Sequence, residues 1–356
     1  MNRIHEETSL HAKGWYRLGQ LLIKLAQLDK AEELYRSLLE QTTDLDEKSF
    51  LLQHLGMINR SQGNYAKALD YHRKALDTRE KELPANHPDI ATWCNNIGSV
   101  YDYMNDYSQA LIYYEQAHEI YRKVFPTDHP NLATSYNNIG LIYKKMDKFS
   151  DALTYYERSV QIKLKTLPKN HPDLAASYNN IGSVYDSKDE YSKALEYYEK
   201  ALEIFQETLP AKHPQLAASY YGIASVYDSN GEYCKAIEYY EKALKIFGKI
   251  PPRNHAFLAA FYNNIGYAYH KLRIYSRALD YYEKDLEIAK KTLSTTDLDL
   301  STAYYNIGQF YTDMDEYEKA LEYYEHALDI KQRSLSLVDP SIEALKESIE
   351  FLRKKL

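Results

Sequence analysis

Two cysteines, Cys94 and Cys234, are all that the 356 residues contain. Two thiols that far apart exclude a disulfide framework or a Cys-x2-Cys metal knuckle, and they suit a reducing compartment. Glycine (12) and proline (11) are scarce, which argues against a β-rich fold dependent on tight turns. No apolar run approaches the roughly 18 residues of a membrane-spanning helix. The opening stretch, MNRIHEETSLHAKGWYRLGQ, lacks the apolar core of a secretory signal. A cytoplasmic location without membrane insertion is the expectation. Basic residues number 44 against 51 acidic, a net charge of −7, with no basic block. That balance argues against nucleic acid or an anionic membrane as the main partner.

What the chain does have is tyrosine, 37 residues against 9 phenylalanines. The excess follows from a repeat. Gly56, Gly98, Gly140, Gly182, Gly266 and Gly308 lie on a 42-residue lattice, with Ala224 in the one remaining place. NNIGSVYD at 95–102 returns as NNIGLIYK at 137–144, NNIGSVYD at 179–186 and NNIGYAYH at 263–270. An earlier copy around Gly19 lies off the lattice. Tyrosines recur four residues before the glycine, three and nine after it, and as tandem pairs such as 113/114 and 155/156. They read as packing residues rather than a phosphotyrosine platform.

Each unit reads as two helices, from about Asp89 to Met104 and from about Tyr107 to Val124, joined by a short polar turn at Asn105-Asp106. Cys94, Ile97, Gly98 and Tyr101 form one apolar stripe, and Ala110, Leu111, Tyr114 and Ala117 its counterpart. Glycine costs a helix about 1 kcal/mol relative to alanine, so its recurrence implies a close helix–helix approach. The units fall at 12–41, 45–83, 88–125, 130–167, 172–209, 214–250, 256–293 and 298–335, an array over 1–338. An amphipathic capping helix follows at 339–356. Gly222, Ala224 and Pro251-Pro252 mark the most divergent unit.

Trp15, Leu18, Gly19, Leu22, Ala31 and Tyr35, with Gly98, Tyr101, Ala110, Tyr114 and their lattice equivalents, resemble the tetratricopeptide repeat pattern. The 42-residue period, the L-P-x-N-H-P linker at 167–172 and the paired Asn before the glycine resemble the repeats of kinesin light chains. The resemblance implies an all-α, right-handed superhelical solenoid of helix hairpins. Its concave groove, lined by the first helices, would bind a protein or peptide, with a motor or cargo protein as the kind of partner. The coiled coil that joins such chains to a motor has no counterpart before Trp15. A second resemblance, to arrays attached to arginine ADP-ribosyltransferases, implies a targeting array of a larger catalytic assembly.

No catalytic constellation emerges, and no cofactor or metal is expected. His87, His129, His171, His213 and His255 stand one repeat apart at helix starts, a pattern of caps rather than of convergent ligands. The asparagine columns are the candidate binding residues: Asn96, Asn138, Asn180, Asn264 and Asn306 two before the lattice position, and Asn95, Asn137, Asn179 and Asn263 three before it. At about 100° per residue they face away from the packing stripe, together with Arg60 and Lys144. A carboxamide there offers donor and acceptor to an extended peptide. The same side chains could instead bond neighbouring helices within the protein, and both readings stay open on the sequence.

Overall fold

The computed structural model describes residues 14–80, 83–248, 255–292, 297–336 and 339–356, all of whose regular elements are helices. Two compact units, Met1–Lys169 and Asn170–Leu356, divide the chain. In the first, a helix α1 over 14–24 is followed by α2 (Leu28–Gln41), α3 (Leu45–Ser61), α4 (Tyr65–Glu80), α5 (Pro88–Tyr103), α6 (Tyr107–Val124), α7 (Pro130–Lys145) and α8 (Phe149–Thr166). The second holds α9 (Pro172–Ser187), α10 (Tyr191–Thr208), α11 (Pro214–Ser229), α12 (Tyr233–Phe247), α13 (His255–Lys271), α14 (Tyr275–Thr292), α15 (Leu298–Asp313), α16 (Tyr317–Ser334) and α17 (Pro340–Lys355). Within each unit every odd helix pairs with the next even one, and each hairpin packs on its successor, an all-α repeat solenoid.

The linker histidines start the first helices. The ring Nδ1 of His87, His129, His171 and His213 accepts the backbone N–H two residues on, at 3.1–3.2 Å, with proline at the first helical position. Proline has no N–H to leave unpaired and its φ already suits a helix. Asp44, Asp297 and Asp339 perform the same capping for α3, α15 and α17. His255 heads α13, but its side chain lies outside the described residues, as does the Pro251-Pro252 segment.

Each hairpin turns on a left-handed residue. Gly63, Asn105, Asp147, Asp189, Gly231, Arg273 and Asp315 all have φ between +56° and +80°, one period apart, and Ala26 does the same after α1. The N–H of the following residue reaches back to a carbonyl five residues earlier, as from Asp106 to Tyr101 at 3.0 Å, which satisfies an orphan carbonyl at the helix end.

The lattice glycines lie under an aromatic ring. A β-carbon on Gly98 would stand 3.1 Å from the Tyr114 ring, on Gly140 2.9 Å from Tyr156, and on Gly308 2.5 Å from Tyr324. The second tyrosine of each tandem pair therefore fills the helix–helix interface. Ala31, Ala68, Ala110, Ala152, Ala194, Ala236, Ala278 and Ala320, all fully buried, allow the same close approach from the second helix. The first tyrosine of each pair stacks on the first helix, as Tyr197 on Tyr185 at 5.6 Å and Tyr239 on Tyr227 at 5.7 Å between ring centroids. Tyr178 and Tyr220 complete these clusters.

The divergent hairpin shifts this arrangement. Ala224 stands at the lattice position, and Gly222, two residues earlier, is where a β-carbon would lie 2.5 Å from the ring of Tyr198, in the preceding hairpin. Tyr240 packs against Tyr221 instead, at 5.5 Å. At the end of the described array, α17 lays Ile342, Leu345, Ile349 and Leu352 against the core it shares with α16.

Candidate functional site

The asparagine columns stand on the first helices, beside the lattice positions. All nine candidate asparagines are half-buried, because each sits beside the junction with the neighbouring first helix. In the first unit, Asn95 Nδ2 donates to the Tyr121 hydroxyl of its own hairpin at 3.3 Å. The Nδ2 of Asn96 and the Oδ1 of Asn95 are buried without a hydrogen-bond partner among the described residues. Arg60 crosses from α3 to α5, donating to Ser99 Oγ at 2.6 Å with its guanidinium over the Tyr103 ring. Asn137, Asn138 and Lys144 stand half-buried on α7. Next to Lys144, Lys145 reaches back to the almost fully buried Asp102 at 2.7 Å.

In the second unit several of these side chains bond from one first helix to the next. Asn179 exchanges two hydrogen bonds with Ser219, at 2.8 and 3.1 Å, from α9 to α11. Asn180 is half-buried beside it. Ser225 donates to Asp186 at 3.2 Å. Asn264 donates to the hydroxyls of Tyr221 and Tyr240, at 3.0 and 3.4 Å, and Asn306 donates to Asn263 Oδ1 at 2.7 Å. The column two before the lattice position thus bonds the column three before it on the preceding hairpin. His270 lies 3.3 Å from Asp313 across the next junction.

Electrostatically the face is mixed. Burial pushes the Asp228 carboxyl up to about 6 against the pull of Lys271, and its Oδ1 has no hydrogen-bond partner among the described residues. Burial, with the Arg60 charge, pushes His72 down to about 4, so it is neutral where other hairpins have a tyrosine. The outer second helices neutralise themselves instead, through i,i+4 pairs such as Lys200–Glu196 and Lys242–Glu238, both below 3 Å and exposed.

One further residue was not singled out by the sequence reading. Asp285 on α14 is only 6% exposed, and it occupies a column filled elsewhere by Ala75, Ala117, Ser159, Ala201, Ala243 and Ala327, all fully buried. A lone acid in a column of small residues is a signal the lattice contains, once the columns of the second helices are followed to their ends. No group of three or more His, Cys, Asp or Glu side chains among the described residues could hold a metal. No described helix is long and apolar enough to cross a membrane.

The family model for the tetratricopeptide repeat matches residues 10–81, 47–123, 113–165, 131–207, 173–249 and 257–333. The chain belongs to the tetratricopeptide repeat family, whose fold is that of an interaction scaffold. Among solved structures, the apo quorum sensor NprR from B. thuringiensis is similar over 93% of both chains, at 19% identity and a TM-score of 0.68. BtubC (BKLC) from P. vanneervenii is similar over 64% of this chain and 92% of its own, at 24% identity and a TM-score of 0.52. Kinesin light chain-type repeats from Podospora anserina match over 58% of this chain and 98% of theirs, at 24% identity and a TM-score of 0.49. At these identities the likeness concerns the fold alone. No curated protein sequence matches the chain.

Proposed function

We propose that this chain is a cytoplasmic, non-catalytic adaptor that holds an extended peptide or a protein partner, of the cargo kind, on the face of its first helices. One observation carries the reading. The second helices pair their own charges, whereas the first helices present half-buried carboxamides, several of which, among them Asn179, Asn263, Asn264 and Asn306, are held by a neighbouring first helix. A carboxamide has donors at one end and an acceptor at the other. A single bond to the next helix, as from Asn306 to Asn263, engages one end and orients the other, which suits a peptide backbone with alternating N–H and C=O groups. Fixing these groups beforehand lowers the entropy cost of binding.

The test is capture from cytosol by the parent and by Asn138→Ala/Asn180→Ala, with a thermal melt of each. The proposal expects a partner retained by the parent and lost by the double variant, whose melt is unchanged. A melt lowered by several degrees with capture intact would assign the asparagines to helix–helix bonding alone. A motor heavy chain or cargo among the captured proteins supports the adaptor. A catalytic subunit would favour a targeting array instead.

A further inference from the structure

Between α13, α14 and α15 lies a cavity of about 190 Å³ whose lining includes Asn263, one of the candidate binding residues. Its walls are largely methyl groups, from Ala260, Ala289 and Ala303. Asp285 also lines it, with 6% of its surface exposed. Asp285 makes no hydrogen bond or ion pair with the described residues, and the charge that acts on it is that of another acid, Asp299. Asp299 itself lines the cavity from an exposed position. A buried carboxylate ordinarily has a cation or several N–H donors around it, and among the described residues Asp285 has neither.

We propose that Asp285 and this cavity form a pocket for one cationic side chain, lysine or arginine, of a peptide lying on the first-helix face. The inference rests on the proposed binding role of that face and names a specificity element within it. Lysine and arginine carry an apolar stem below a charged head. The alanine walls match the stem, and Asp285 with Asp299 matches the head. Two carboxylates repel one another and a cation between them relieves both. A divalent metal suits the site less well, since only two carboxylates line it and no third His, Cys, Asp or Glu joins them among the described residues. In five other hairpins the column has alanine, so the pocket is particular to this hairpin and would set the register of a bound peptide.

The experiment uses the full chain, labelled with ¹⁵N, and the peptides Ac-Gly-Gly-Lys-Gly-Gly-NH₂, its arginine counterpart and a norleucine control. Saturable shifts are expected at the amides of 259–263, 285–289 and 299–303 with lysine or arginine, and at least tenfold weaker binding of norleucine. Asp285→Ala and Asp285→Asn should abolish the shifts. Asp285→Ala restores the residue found in the other hairpins, so it retains the fold. Absence of saturable shifts in the parent overturns the proposal, as does equal binding of norleucine or unchanged binding by both variants. Tighter saturation of the same amides by Mg²⁺ or Ca²⁺ alone would reassign the site to a metal and likewise overturn it. Failure here, with a captured partner still lost on Asn138→Ala/Asn180→Ala, removes the pocket and leaves the binding face standing.

Discussion

Asp285→Ala should stabilise the protein, and by an amount that depends on pH. Burial, together with the charge of Asp299, pushes the Asp285 carboxyl from 3.8 up to about 7. The unfolded chain therefore loses this proton near pH 4, while the folded protein keeps it to about 7. Between those values the folded state binds the extra proton, so stability falls as pH rises, by about 1.4 kcal/mol per unit. The stability is complete below pH 4 and is lost as pH climbs through the folded value, a total of about 4 kcal/mol over some three units. Alanine removes that dependence and leaves a small, pH-independent packing change. Asp228, also pushed up by burial, slopes the same way, but it is present in both proteins and cancels in the comparison. Urea unfolding of parent and variant, followed by helical circular dichroism from pH 4 to pH 8 without peptide, measures the difference. The expected result is near equality at pH 4 and a variant more stable by several kcal/mol at pH 8. A difference that stays constant with pH, or that favours the parent at high pH, would refute a carboxyl buried without a partner.

Two other substitutions probe the fold. Gly308→Ala gains about 1 kcal/mol of helix propensity, but its β-carbon would stand 2.5 Å from the buried Tyr324 ring. Overpacking of that kind costs about 1–3 kcal/mol, so urea midpoints should fall, and a midpoint raised in line with propensity alone would show that the ring moves freely. Arg273 is an exposed residue at φ +60°, where glycine has no side-chain clash. Arg273→Gly should raise stability by up to about 1 kcal/mol, whereas a loss of that size would mean that the arginine side chain holds the turn.

The period, the hairpins and the close approach of helices at the glycines were legible because each recurs at a fixed spacing; that the second tyrosine of each tandem pair fills that approach was read only from the structure. Four of the five linker histidines, His87, His129, His171 and His213, were legible as caps because each precedes proline at a helix start. The left-handed turn position was not legible, since only Gly63 and Gly231 announce it. Elsewhere Asn, Asp, Arg and Ala adopt the same backbone, held by the helix-end hydrogen bond rather than by residue type. Angular arithmetic separates the asparagine columns from the packing stripe, but says nothing of their bonding. Whether Asn306 meets Asn263 or solvent depends on the rise between successive hairpins, which no single helix encodes. Asp285 escaped for a different reason. An acid on an amphipathic helix reads as solvated unless its column is compared with every other hairpin.

The charges that link one first helix to the next act as address labels for the hairpins. Asp102 on α5 receives Lys145 from α7, and Asp228 on α11 feels Lys271 from α13, while between α13 and α15 the acid is on the later helix, where Asp313 faces His270, an imidazole whose pKa burial lowers. The backbone geometry would let any hairpin follow any other, but these side chains would not. A hairpin bearing Asp313 placed after α5 would set two carboxylates against each other at the junction. Near-identical units copied along a chain are prone to slip or to pair with the wrong neighbour. An acid on the earlier helix at two junctions and on the later helix at a third gives these hairpins different preferred successors.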